Sequence, residues 1–308
     1  MARLTTEPPS HPWHIPQGTT RSVGSSILLD PGEAALQWCG LRVVELEPHA
    51  THAFTTGTLE MAVLPLSGVV VVEVEGRRFE LRDRTNVFHG IADWAYLPID
   101  AEVRLSTTSG AQVALPSARA DRRFDPVKID AEAVPVELRG AGQSTRQLNN
   151  YMAPEVFDGA HRLMSVEVIT PDGNWSSYPP HRHDGEGDCA VNNEEIYYFR
   201  VGSVVDGTYS PDGFAMHRTY TSDGETDVNV AVYDGDVFLI PRGYHGPCVA
   251  APGYPLYYLN VLAGPTAERT MAFCDDPTHH WVRESWRGVA TDPRLPMTSA
   301  AGPVRSAG

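Results

Sequence analysis

Lysine is almost absent from this sequence. Of its 24 Lys and Arg residues, only Lys128 is a lysine. Chemistry that proceeds through a Schiff base needs a lysine amine, and this single candidate lies in a polar connecting segment. Lysine-based covalent catalysis is therefore disfavoured.

Positive charge is also scarce. The chain carries 39 acidic residues against 24 basic ones, a formal net charge of −15, and its basic residues form no cluster. This balance disfavours binding to nucleic acid or to an anionic membrane surface. No apolar run approaches the ~18 residues of a membrane helix, and the N-terminus lacks the hydrophobic core of a signal peptide. These features predict a cytoplasmic protein.

Cysteine is sparse, and none of it has metal-site spacing. The four residues Cys39, Cys189, Cys248 and Cys274 include no CxxC pair. In a cytoplasmic chain such cysteines are expected to be free thiols. Cys189 lies near a histidine motif and is an alternative metal ligand, although a small buried residue is the favoured interpretation.

Helical periodicity is missing as well. Short β-branched or aromatic segments instead alternate with Gly, Pro, Asp and Asn, which predicts an all-β fold. Predicted strands occupy residues 41–48, 59–66, 69–81, 86–99, 102–108, 111–116, 134–138, 162–170, 194–201, 213–221, 228–233, 236–241 and 255–264.

The strand pattern occurs twice along the chain. We divide it into an N-terminal arm (1–34), a first half (35–145), a second half (146–272), and a C-terminal extension with a loose tail (273–308). The arm could pack on the other half of the chain or on a second subunit of a homo-oligomer. Glu60 and Gly68 in the first half echo Glu195 and Gly202 in the second, but no matching third histidine follows. The first half is therefore predicted to hold no metal.

The second half contains a set of metal-ligand residues. His181 and His183 are two residues apart, so on a strand they face the same side. Glu195 opens an aromatic strand and would share its inward face with Tyr197, although Glu194 becomes the ligand if the register is shifted by one. His245 follows a Pro-Arg-Gly turn. Three imidazoles and one carboxylate leave coordination positions open, as in catalytic metal sites.

These segments resemble the two motifs of the cupin superfamily, with HxH, Glu and Gly in the first and Gly-Asp, Pro-x-Gly and His in the second. A more specific resemblance is to the 5-deoxy-glucuronate isomerase family of myo-inositol catabolism, which is related to 4-deoxy-uronate isomerase. It is carried by PPHRHD (179–184), EEIYYFRV (194–201), MHRTYT (216–221), DGDVFLIPRGYHGPCVAAPGYPLYYLNVLAG (234–264) and HHWVRESW (279–286). The resemblance implies two cupin barrels (double-stranded β-helix, jelly-roll) in one chain, with one working site.

The family reaction converts 5-deoxy-glucuronate to 5-dehydro-2-deoxy-gluconate through a metal-stabilised cis-enediolate. It needs a divalent cation, for which zinc is the first expectation and manganese or iron the alternatives. It also needs a base and a cation that holds the sugar-acid carboxylate.

Several side chains are candidates for these roles. Arg218 is the preferred carboxylate-binding residue if its strand turns it inward, with a solvated arginine as the equally weighted alternative, and Arg182 is the second choice. The base is left open. Candidates for proton transfer or hydrogen bonding to substrate are Glu194, Glu186, Tyr220, Tyr258 and, for a substrate hydroxyl, Asn260.

Two other functions fit the same ligand set. A cupin dioxygenase would use iron in the His₃Glu site, and a non-catalytic protein would only bind a sugar acid. Open coordination positions disfavour the second alternative, and an inward arginine would disfavour the first.

Overall fold

The structure is a computed structural model that describes residues 11–20, 24–82, 84–266 and 268–304. Strands dominate, which confirms the predicted all-β class. The only α-helix within the described ranges is α1 (Val282–Ser285), and the 3-10 helices there are Ala131–Ala133 and Gly142–Ser144. No helix among these residues is long and apolar enough to cross a membrane.

Among the residues that the structure describes, eleven strands precede residue 130. They are β1 (His14–Ile15), β2 (Ser25–Leu29), β3 (Cys39–Leu46), β4 (Thr51–Thr55), β5 (Leu59–Gly68), β6 (Val70–Val74), β7 (Arg77–Leu81), β8 (Trp94–Leu97), β9 (Glu102–Ser106), β10 (Ala111–Arg119) and β11 (Val127–Ile129).

The remaining strands follow. They are β12 (Val136–Arg139), β13 (Arg146–Met152), β14 (Met164–Thr170), β15 (Trp175–Ser176), β16 (His181–Arg182), β17 (Glu194–Val201), β18 (Phe214–Tyr220), β19 (Asp227–Tyr233), β20 (Val237–Ile240), β21 (Tyr244–Ala250), β22 (Leu256–Ala263), β23 (Cys274–Asp275), β24 (Thr298–Ser299) and β25 (Gly302–Pro303).

Apart from the two-stranded sheet of β24 and β25, the strands form two pairs of sheets. In the first pair, a sheet of order β11-β8-β5-β10-β3-β2 accompanies one of order β4-β9-β6-β7. In the second pair, the sheet β1-β20-β17-β22-β14-β13-β12 accompanies β19-β18-β21-β16-β23, to which β15 is joined through β21. Each pair encloses its own cluster of buried apolar side chains.

A third apolar cluster joins the two sheet pairs. The structure of β17 explains why its central residues, 196–199, are all apolar or aromatic. Its residues Tyr197 and Phe199 lie in the interior of the second pair, whereas Ile196 and Tyr198 lie in the cluster shared with the first. Alternate side chains of a strand face opposite sides, so both faces of β17 are buried. Full burial of each such side chain stabilises the fold by about 1.5–3 kcal/mol.

The expected domain boundaries differ from those in the structure. The arm is not a separate element, because His14 pairs with Phe238 of the second sheet pair and Leu29 pairs with Leu41 of the first. The parts of the arm at 1–10 and 21–23 lie outside the described residues. Strand β12 already belongs to the second pair, since Arg139 pairs with Arg146.

Three local predictions also change. The expected strand 69–81 is a hairpin that turns at Glu75 and Gly76, both with positive φ (52° and 73°). Within 86–99, only β8 is a strand. The C-terminal tail is not loose as far as residue 304, because the fully buried Thr298 bonds to the Gln147 side chain (2.9 Å between Nε2 and Oγ1). Residues 305–308 lie outside the described part.

Candidate metal centre

The three predicted histidines lie side by side in the second sheet pair. His181 on β16 is the direct cross-strand partner of His245 on β21, and their ring centroids are 4.5 Å apart. The His183 ring is 4.9 Å from that of His245. Gly246 follows with φ of 100°, and any Cβ there would collide with the Ser177 carbonyl oxygen. Glycine therefore allows the chain to turn closely behind His245.

Glu195 completes the cluster. Its carboxylate Oε2 is 3.1 Å from His183 Nε2 and 3.1 Å from His245 Nε2. The ligand atoms of these three residues lie within 4.8 Å of one another, and all three side chains are buried. His181 is adjacent to this set, although it is not one of its three members. The predicted inward register of Glu195 is therefore the one found.

The histidine hydrogen bonds fit a cation. Each Nδ1 faces a backbone carbonyl oxygen: Pro179 for His181 (3.1 Å), Asn193 for His183 (2.9 Å) and Gly243 for His245 (3.4 Å). A carbonyl oxygen only accepts, so Nδ1 carries the proton and Nε2 of the neutral ring presents a lone pair. His245 Nε2 is buried without a hydrogen bond. A nitrogen lone pair and a carboxylate oxygen repel each other, so a cation between them would stabilise this arrangement.

The local electrostatics favour positive charge in the same place. Burial alone would raise the pKa of Glu195, but the contact with His183 lowers it on balance. Burial acts to lower the pKa of His183, and Glu195 overcomes this effect and raises it. Burial, followed by the charges of His245 and His183, lowers the pKa of His181 well below its usual value. His181 therefore stays neutral and available as a ligand.

Glu194 faces the other side of β17. Its carboxylate accepts hydrogen bonds from the backbone N–H groups of Gln37 and Trp38, each at 2.8 Å. It anchors the first half of the chain on the second, which places it away from the metal cluster and disagrees with its candidacy as the base.

Two other predicted side chains lie inside the second sheet pair. Tyr258 is buried with its ring centroid 4.9 Å from that of Tyr197. Asn260 follows on the same face of β22, and its Oδ1 is buried without a hydrogen-bond partner. Buried acceptors are rarely left unpaired, so this oxygen is suited to a ligand hydroxyl.

The remaining predicted side chains lie elsewhere. Arg218 does not face the interior, because the buried positions of β18 are Ala215, His217 and Thr219. Its guanidinium pairs with both oxygens of Asp227 (3.0 and 2.9 Å). Tyr220 shares its outer face and donates a hydrogen bond to Asp276. The inward orientation on which the choice of Arg218 depended is therefore not found; the solvated alternative is, and the candidate Tyr220 lies on the same outer face.

Arg182 points away from its histidine neighbours, as predicted. Its guanidinium packs over the Tyr244 ring, 4.9 Å from the centroid, and lies 3.9 Å from a carboxylate oxygen of Glu186. Glu186 also pairs with Arg242 at 3.4 Å. Arg182 and Glu186 thus belong to a charged network on the outer face of this sheet.

The expectation of four free thiols is wrong. Cys189 and Cys274 form a disulfide with a Cα–Cα distance of 5.8 Å, whereas Cys39 and Cys248 are free and buried. The disulfide joins the loop between His183 and Glu195 to β23, which pairs with His181. It therefore supports the ligand-bearing segments, and Cys189 is not a ligand.

Some interior polar residues have no clear signal in the sequence. His217 lies on the inner face of β18, 2.8 Å from Thr219 Oγ1 and 3.2 Å from Cys248 Sγ. Arg146, at the start of β13, is buried. An arginine in a polar connector reads as a surface residue, and only the alternation with Leu148 would have placed it inside.

Glu60, the counterpart of Glu195 in the first half, has a different role. Glu60 is fully buried, but it lies on the face of β5 that packs toward the second half. It accepts hydrogen bonds from Tyr96 Oη (2.8 Å) and from the N–H groups of Arg162 (2.6 Å) and Leu163 (2.8 Å). Glu60 thus joins the halves, whereas Glu195 faces an interior.

The sequence comparisons identify relatives over most of the chain. The model of the KduI/IolB family matches residues 15–282. A protein from Geobacillus kaustophilus, named 5-deoxy-glucuronate isomerase, is 35% identical over 274 residues, which cover 88% of this chain and 95% of the relative. A protein of the same name from Listeria monocytogenes is 35% identical over 260 residues, covering 83% and 91%.

Comparison with solved structures also finds similar proteins. An IolB-like protein from Salmonella typhimurium has a TM-score of 0.78 at 28% identity, covering 88% of this chain and 98% of that one. Oxalate decarboxylase from Lactobacillus farciminis has a TM-score of 0.60 at 13% identity, covering 87% and 90%, and shows a shared cupin-type fold alone. With its His/Glu cluster in the second sheet pair and a family match over residues 15–282, the chain belongs to the KduI/IolB family.

Proposed function

We propose that this protein is an aldose-ketose isomerase that converts 5-deoxy-glucuronate to 5-dehydro-2-deoxy-gluconate in myo-inositol catabolism, in the cytoplasm. The observation that carries the proposal is the convergence of His183, Glu195 and His245 inside the second sheet pair. Support comes from the relatives of that name, which match along nearly their whole length.

We assign the metal ligands to His183, Glu195 and His245, with the adjacent His181 as the fourth. When bound, a divalent cation supplies Lewis-acid polarisation of the substrate carbonyl and its neighbouring hydroxyl. Nitrogen-rich sites of this kind accept several metals. Zinc is our first choice, with manganese and iron as alternatives, and the first sheet pair serves as a metal-free scaffold.

Tyr258 and Asn260 form the polar wall of the proposed site. Burial strongly raises the pKa of Tyr258, so its hydroxyl stays protonated and acts as a hydrogen-bond donor rather than a base. Such a donor stabilises the oxyanion that develops when a proton leaves the carbon next to the carbonyl. The free Oδ1 of Asn260 accepts a hydrogen bond from a substrate hydroxyl and so orients the substrate for that proton transfer.

The decisive experiment compares isomerase with dioxygenase chemistry. Metal-loaded protein is incubated with 5-deoxy-glucuronate under argon, and the carbon spectrum is followed by NMR. Loss of the aldehyde signal with growth of a ketone signal, at a rate independent of oxygen, is expected. Turnover that requires oxygen would establish the dioxygenase, and binding without turnover by fully loaded protein would establish a sugar-acid-binding protein.

A further inference from the structure

Arg146 is a buried cation inside the second sheet pair. It is the first residue of β13, on the same face as Leu148, which packs in the interior cluster with Tyr197 and Tyr258. Arginine is usually exposed, yet this residue is only 6% exposed. Its side chain therefore lies in the compartment that contains the metal cluster.

The Glu137 carboxylate lies within electrostatic reach of Arg146, but it pairs with Arg139 at 2.8 Å, and that hydrogen bond, more than the Arg146 charge, lowers its pKa. The hydrogen bond of Arg146 is from Nη1 to the Ser144 carbonyl oxygen at 3.2 Å, and no ion pair in the described part of the chain includes Arg146. Another buried arginine, Arg200, differs in this respect, because Asp234 accepts two hydrogen bonds from it (2.8 and 3.1 Å). Burying a guanidinium without a salt bridge is costly, so the described residues leave the charge of Arg146 without a direct counter-ion.

The surroundings of Arg146 belong to the proposed active site. Burial lowers the pKa of Arg146 to about 10, and the nearby Tyr258 partly offsets this effect. The side chain is thus still charged at neutral pH. The pKa of His181 is lowered by burial, by the charges of His245 and His183 and, to a smaller extent, by the charge of Arg146. The neighbouring cations Arg139 and Arg283 differ because each is paired, with Glu137 at 2.8 Å and Asp275 at 2.5 Å.

Arg146 and His181 lie on different sheets of the second pair. Strand β13 is next to the edge strand β12, and β16 is next to the edge strand β23. Asn174 Nδ2 links the two sides by donating to the Thr145 carbonyl oxygen at 3.1 Å. This hydrogen bond brings the start of β13 close to the start of β15, which is joined through β21 to the sheet that carries His181.

We propose that Arg146 binds the carboxylate of the sugar-acid substrate. The assignment rests on the proposed function, in which the substrate carries a carboxylate at the far end from its reacting aldehyde. Metal ligands and an unpaired guanidinium in one compartment match these two ends. A guanidinium fork fits both carboxylate oxygens. Arg218 and Arg182 are poorer choices, since Asp227 pairs with the first and the second packs over Tyr244 on the outer face of its sheet.

The test is a binding measurement that needs no turnover. The probes are the acid obtained by reducing the aldehyde of 5-deoxy-glucuronate to an alcohol, and the matching neutral carboxamide. Titration calorimetry on metal-loaded protein gives the Kd of each. Wild type is expected to prefer the acid. Arg146→Met should raise the Kd of the acid by about 10- to 100-fold and leave the Kd of the amide within about threefold. Added guanidinium should restore part of the variant's affinity for the acid.

Arg139→Met is the matched control, because it removes the same charge from the cross-strand neighbour of Arg146. It should leave both constants within about threefold. Metal content and circular dichroism are measured for every variant. If Arg146→Met does not fold, Arg146→Lys decides, since it keeps the charge but loses the fork. It should reduce the preference for the acid at least severalfold.

The outcomes separate this assignment from the proposed function. Unchanged acid affinity in folded, metal-loaded Arg146→Met, an unchanged preference in Arg146→Lys, or equal loss of acid and amide overturns the role of Arg146. A wild type that does not prefer the acid overturns it too. If the wild type prefers the acid through Arg146 but does not isomerise 5-deoxy-glucuronate, the carboxylate site stands and the proposed function fails.

Discussion

Glu194 and Glu195 are neighbours on β17, yet their carboxylates serve opposite sides of the sheet. Glu195 Oε2 lies 3.1 Å from the Nε2 atoms of His183 and His245. The Glu194 carboxylate instead binds the backbone N–H of Trp38 at 2.8 Å, in the other half of the chain. Strand alternation thus gives two identical side chains separate places, one in the candidate metal site and one in the junction between the halves.

The disulfide predicts a definite thiol count. Protein purified without reductant and denatured should react with a thiol reagent at two positions, Cys39 and Cys248, because Cys189 and Cys274 are joined. After reduction the count should rise to four. A count of four before reduction would contradict the pairing, and Cys189→Ser should leave a third reactive thiol at Cys274.

The C-terminal segment predicts an acid-dependent loss of stability. Hydrogen bonds from Arg294 lower the pKa of Asp292 to about 2, below its value in the unfolded chain. The stabilisation is therefore present above pH ~4 and is lost as the pH falls toward 2. Asp292→Asn should lower the free energy of unfolding by about 1–2 kcal/mol at pH 7, allowing for the half-exposed Arg294. In urea titrations the difference should shrink below pH 3, and a constant difference would argue against the ionic origin.

Tyr258 and its neighbour Tyr257 give a matched pair. Tyr258→Phe removes the proposed hydrogen-bond donor from the interior and should lower kcat by about 10²-fold with full metal content. Tyr257 faces the other way, where its hydroxyl donates to Glu167 at 2.9 Å. Tyr257→Phe should cost about 1–2 kcal/mol in stability and leave kcat within about threefold. Equal kcat losses in both variants would remove the catalytic assignment of Tyr258.

The residues of the candidate metal site could be predicted from the sequence because their signal is local. The spacing of His181 and His183 and the aromatic alternation after Glu195 fix which side chains share a face. The position of Arg218 could not be read in this way, because β18 has an inverted pattern. Phe214 and Met216 on its outer face are 39% and 42% exposed, whereas His217 on its inner face is buried. A strand with large apolar residues outside misleads any argument from hydrophobicity.

Features that depend on residues far apart in the sequence could not be predicted either. Cys189 and Cys274 are 85 residues apart, and nothing in their local sequence indicates that they pair. Arg146 lies in a segment that reads as a polar connector. Its burial depends on β12 and β13 joining the sheet of the second half. That it forms no salt bridge with a described residue is visible only once the neighbouring carboxylates have been placed.

The most direct test of the metal site compares Glu195→Gln with Glu194→Gln. Both variants are loaded with zinc or manganese, their metal content is measured by mass spectrometry, and turnover of 5-deoxy-glucuronate is followed. Glu195→Gln should lose at least about 100-fold in metal affinity and its turnover with it. Glu194→Gln should bind one metal and keep its turnover within about threefold. Full metal content and activity in Glu195→Gln, or loss of both in a folded Glu194→Gln, would contradict the account.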